Sequence, residues 1–109
     1  MAGYALQFDG NTDLVRLAKT EATMGTQSWT TTKTISLWVK PAGVGQDCEN
    51  DDVSFCDHIF GDRPRWWGIS RGVVGGKDRI WVWNYSAGYA MIGIPYTPDG
   101  WVHISLVHS

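Results

Sequence analysis

Residues 79–85 read Arg-Ile-Trp-Val-Trp-Asn-Tyr, and this stretch constrains the fold more than any other. Extended, it sets Ile80 and Val82 on one face and Trp81, Trp83 and Tyr85 on the other. A side-chain period of two belongs to a strand, and it recurs along the chain. Tyr4, Leu6 and Phe8 alternate with polar or small neighbours, which predicts a strand half-buried on one face. Within Thr30 to Lys40, Ile35, Leu37 and Val39 oppose Thr34, Ser36 and Trp38. Arg65 to Ser70 centres on Trp67 and Ile69, and Met91 to Ile94 is stopped by Pro95. Trp101 to His108 carries Val102, Ile104 and Leu106 on its inward face. The segment with the best helix formers, Leu14 to Met24, begins with a stretch (Leu14 to Leu17) that also reads as a short strand after the Gly10–Asp13 turn, and the strand is the preferred reading. About eight short strands separated by turns such as Thr97-Pro98-Asp99-Gly100 predict an antiparallel sandwich or barrel.

A length of 109 residues allows one domain, spanning 1–109, with a modest core. Thirteen Gly and seven Trp favour turns and strands over helices. The net charge is −2 and the nine Lys and Arg are scattered, so no basic stripe is available for a nucleic acid. No apolar run reaches the length of a membrane span. The opening MAGYALQFDG lacks the basic and apolar regions of a leader.

Three segments, in order, carry a family likeness. They are YALQFDGNTDLVRL, a hairpin around Phe-Asp-Gly; TISLWVKP, a strand with a central Trp; and TPDGWVHISLVHS, a turn followed by Trp and a His-containing apolar strand. HIFGDRPRWWGISRG and DRIWVWNYS lie between them, where inner strands would pair. The chain resembles the laminin-G-like, concanavalin A-like jelly-roll family. The resemblance implies an all-β antiparallel sandwich with Trp38 and Trp101 packed in its core. It also implies that the chain covers the N-terminal two thirds of the family's domain. On that reading the strands that complete the sandwich come from further sequence, another copy or a partner chain.

Catalysis is not expected. His58, His103 and His108 fall in no recognisable triad spacing, and Glu21 and Glu49 are too far apart in sequence to suggest a paired acid and base. Asp9, Asn11 and Asp13 place oxygen ligands at alternate positions, as a Ca²⁺ loop does, but Leu14 and Thr20 break the EF-hand pattern. An Asx turn accounts for the same residues. The acidic run Gln46 to Asp52 reads as a cation loop or a solvated one. Cys48 and Cys56 bridge in an oxidising environment or stay as free thiols in a cytoplasmically assembled particle.

Trp81, Trp83 and Tyr85, with Arg79, Asn84 and Trp66 nearby, suggest a platform on which a sugar stacks; the competing reading is that these rings fill the core. The expected function is therefore non-catalytic recognition of a glycan or protein surface, extracellular or on a virion. A structural virion or assembly role, such as phage tail or capsid decoration, is the alternative. Self-association is expected in either case.

Overall fold

The computed structural model describes residues 3–9, 33–61, 67–84 and 90–108. Among them the regular elements are six strands and two single 3₁₀ turns: β1 (Lys33–Val39), β2 (Asp57–Gly61), β3 (Trp67–Val74), β4 (Lys77–Asn84), β5 (Ala90–Ile94) and β6 (Val102–His108), with the turns at Glu49–Asp51 and Val53–Phe55. The chain is an all-β sandwich. One sheet is the antiparallel pair β1–β6, and the other is the antiparallel meander β2-β3-β4-β5.

The small sheet follows the alternation read from its two strands. The β1–β6 pair runs Ile35↔Leu106, Leu37↔Ile104 and Val39↔Val102 on the inward face. Ile35 and Ile104 are buried there against Trp67, Ile69 and Ile80 of the larger sheet. The turn between β3 and β4 is Gly75-Gly76, both at positive φ (59° and 75°). That backbone suits a tight hairpin and excludes most side chains.

The larger sheet has a second apolar face. Trp81 and Trp83 project from it and are covered by Cys48, Val53, Cys56 and Val74. Cys48 and Cys56 form a disulfide with Cα atoms 4.8 Å apart, closing a loop over the rings. Gln46–Cys48 runs alongside β3 beyond the end of β2, with Val73 N–H donating to the Gln46 carbonyl (2.8 Å) and Cys48 N–H to the Val73 carbonyl (3.0 Å). The molecule is therefore layered: small sheet, large sheet, disulfide loop.

Two expectations need correction. Trp38 and Trp101 are not in the core; they are 54 % and 44 % exposed. Trp38 occupies the parity opposite to Ile35, Leu37 and Val39, and Trp101 that opposite to Val102, so once those aliphatics face the large sheet the indoles must face out. Tyr4 to Phe8 forms no strand, and Tyr4, Leu6 and Phe8 are exposed. No neighbour among the described residues supplies that segment with ladder hydrogen bonds. The expected strand Leu14 to Leu17 lies outside the described residues.

Candidate functional site: the outer face of the β1–β6 sheet

The face of β1–β6 turned away from the core is a continuous exposed surface. Thr34, Ser36, Trp38 and Lys40 point outward from β1 and its continuation, and Trp101, His103, Ser105 and Val107 from β6 and the residue before it. The register sets Ser36 opposite Ser105, Trp38 opposite His103 and Thr34 opposite Val107.

His103 braces the centre of this face. Its ring lies 4.9 Å from that of Trp38, inclined at 49°. Its Nε2 is 2.9 Å from Ser36 Oγ, so the imidazole bridges the indole and the hydroxyl across the strands. Directly opposed side chains on adjacent strands are close enough for such contacts to fix each other's rotamers.

One end of the face is tied down by the turn before Trp101. Asp99 N–H donates to the Pro41 carbonyl at 2.7 Å, and Gly43 N–H donates to Asp99 Oδ1 at 2.8 Å. These bonds hold the segment after Lys40 against the segment before Trp101. A second set of bonds anchors the same loop to the large sheet. Arg71 donates to the carbonyls of Ala42 (3.1 Å) and Gly43 (2.9 Å) and to Tyr96 Oη (3.2 Å). Tyr96 in turn donates to Asp78 Oδ1 at 2.9 Å, and Gly45 N–H to Asp78 Oδ2 at 2.7 Å. Desolvation pushes the Tyr96 phenol above its ordinary value of 10.0; the bond to Asp78 acts in the same direction and Arg71 opposes it.

Two rings of the sugar platform expected from the sequence, Trp81 and Trp83, are buried on the larger sheet. Trp81 is 7 % and Trp83 1 % exposed, and both indole N–H groups are satisfied internally, by the Gly72 carbonyl (2.9 Å) and Ser70 Oγ (3.0 Å). The reason lies on β3, where Gly68, Ser70 and Gly72 leave room for indoles to lie flat. A Cβ on Gly68 would stand 2.8 Å from Trp83 Cζ2. Arg79 shares that face, and its guanidinium donates to the Asp78 carbonyl beside it (2.9 Å). Asn84 has the opposite parity, lining a shallow apolar cleft with Val82, Ile92 and Leu106. Trp66 and Tyr85 lie outside the described residues. Trp81 and Trp83 thus pack as core.

The remaining candidates are placed as follows. Asp9 is exposed, and Asn11 and Asp13 lie outside the described residues. Among the described residues no three His, Cys, Asp or Glu side chains cluster as a metal site would. In the acidic loop, Asp52 Oδ1 accepts from Ser54 N–H (2.9 Å) and Oγ–H (2.8 Å), and Asp51 Oδ1 accepts from Gly75 N–H (2.7 Å). These carboxylates cap backbone and join the loop to the β3–β4 hairpin. His58 Nε2 meets the Ser54 carbonyl at 3.1 Å, whereas the Ser54 hydroxyl turns to Asp52, so the three residues do not form a proton relay. No helix among the described residues is long and apolar enough to cross a membrane.

The signal for the outer face was present in the sequence. Trp38 and His103 hold the parity opposite to the aliphatic rows of their strands. Compared with known proteins, the chain matches no family model, no curated protein and no solved structure.

Proposed function

We propose that this domain is a non-catalytic recognition module that binds saccharides on the outer face of β1–β6. The observation that carries the reading is the exposed Trp38 ring, braced by His103 and flanked by the Ser36 and Ser105 hydroxyls and by Trp101. An indole face is electron-rich and attracts the C–H side of a pyranose ring, while neighbouring hydroxyl and imidazole groups exchange hydrogen bonds with its hydroxyls. The Cys48–Cys56 disulfide fits an oxidising setting, outside the cell or on a virion surface. The test is a glycan array probed with the wild type and with Trp38→Ala. Binding by the wild type that the variant loses supports the proposal. Binding equal in both, or absent from the wild type, refutes it.

A second reading rests on a separate observation. β5 is paired on one side only among the described residues, Ile92 and Ile94 are exposed on it, and Tyr4, Leu6 and Phe8 form an exposed apolar row. Open strand edges with apolar side chains invite added strands. This favours an assembly role, such as a virion attachment or decoration piece, in which copies complete one another. Light scattering across a concentration series tests it; a monomer at every concentration refutes it. Both roles are compatible, since a decoration protein can bind sugars.

A further inference from the structure

Resting on the assembly reading above, we infer that residues 4–8 of one copy add as an antiparallel fifth strand to the β5 edge of a second copy.

The two edges of the large sheet are unequal. β2 begins with the exposed Asp57 and His58, and its register with β3 shifts between His58 and Phe60. Charges and bulges are devices that keep an edge from accepting another strand. β5 has neither. It reads Ala-Met-Ile-Gly-Ile, without charge or proline, and pairs with β4 in unbroken register from Ala90 to Ile94. Among the described residues it pairs with β4 alone. Ile92 and Ile94 share the face of Val82 and Ile80, which is turned toward the small sheet. Ile92 is nevertheless 69 % exposed and Ile94 is exposed as well, so the small sheet does not cover them.

Residues 4–8 complement that edge. They read Tyr-Ala-Leu-Gln-Phe, five residues like β5 and again without charge or proline. Tyr4, Leu6 and Phe8 alternate with Ala5 and Gln7, and all three are exposed and belong to no ladder. Every strand pair in both sheets is antiparallel. Laid antiparallel on β5, the segment sets Tyr4 beside Ile94, Leu6 beside Ile92 and the large Phe8 beside the small Ala90. The three apolar side chains then fall on the uncovered face, where Leu6 extends the apolar lining that Ile92 shares with Val82 and Leu106. Ala5 and Gln7 turn to the opposite face. A strand added in this way gains main-chain hydrogen bonds along the edge and specificity from its alternate side chains. The occupant is a second copy because each chain carries one such segment and one such edge, and its own segment does not lie on its own edge.

The test is complementation between two full-length variants, read by light scattering across a concentration series. Leu6→Glu disables the donor segment and leaves the edge intact; Ile92→Glu disables the edge and leaves the segment intact. Both residues are largely exposed, so both variants should melt with the wild type at high dilution. If Ile92→Glu melts lower, Ile94→Glu takes its place. The wild type should gain mass with concentration, and each variant alone should stay at the mass of one chain. An equal mixture of the two should form a complex of two chains, because it keeps one intact donor and one intact edge. A wild type that stays monomeric refutes the assembly reading and this inference with it. If the wild type assembles but the variants also assemble alone, or their mixture stays at the mass of one chain, strand donation is overturned and assembly through another surface stands.

Discussion

Replacing Trp83 by Ala should destabilise the domain far more than replacing Trp38. Trp83 is 1 % exposed, its indole N–H bonds Ser70 Oγ at 3.0 Å, and its ring meets His58 edge-on at 5.6 Å. Truncation removes the ring, strands the buried Ser70 hydroxyl and opens a cavity between β3 and the disulfide loop. Buried Trp→Ala changes of this kind cost about 3–5 kcal/mol. In a domain this small each kcal/mol moves the melting temperature by about 4–8 °C, so a drop of at least about 12 °C is expected. Trp38 is 54 % exposed and packs mainly on His103, so its truncation should cost about 1 kcal/mol or less. Thermal melts followed by circular dichroism, on both variants beside the wild type, give the comparison directly. If Trp38→Ala melts as low as Trp83→Ala, the assignment of inner and outer faces is wrong. If Trp83→Ala melts with the wild type, the disulfide loop does not cover the ring.

Further expectations follow from the same layering. Reducing Cys48–Cys56, which closes a loop across a sequence separation of eight, should cost roughly 2–3 kcal/mol and lower the midpoint of a urea melt; an unchanged midpoint would mean that the loop is held by other contacts. Gly68→Ala puts a Cβ 2.8 Å from Trp83 Cζ2, in a ring locked by its bond to Ser70, and should cost about 1–3 kcal/mol in a chemical-denaturation series. Tyr96 has a raised pKa in the folded state, so its contribution to stability is fully present below pH 10 and is lost as pH rises through the folded value. The phenolate absorbance difference between wild type and Tyr96→Phe should therefore show a midpoint above 10.0; a midpoint at or below it contradicts the desolvated Arg71–Tyr96–Asp78 arrangement.

The sandwich was legible because its strands carry their layer in their alternation. Ile35, Leu37 and Val39 against Val102, Ile104 and Leu106 are enough to predict one face of the small sheet, and the register bears this out residue by residue. The same alternation puts Trp38 and His103 outside. Assigning Trp38 and Trp101 to the core meant letting a family landmark and the general preference of indoles for burial override parity. β4 posed the opposite difficulty. Both its faces are apolar, so period two says that Ile80 and Val82 part from Trp81 and Trp83 but not what covers each row. The cover on the Trp side is a loop, and loops have no period to read. Its signature was distributed over three places: the two cysteines, Val53 between them, and the run of small residues at Gly68, Ser70 and Gly72 on the neighbouring strand. Each is commonplace alone. Only cross-strand register, which one strand's sequence does not contain, lays Gly68 opposite Trp83 and Ser70 opposite Trp81 and so turns small residues into room for two indoles. Once those rings are committed to the interior, the exposed indoles among the described residues are Trp38 and Trp101, on the sheet with the plainer sequence.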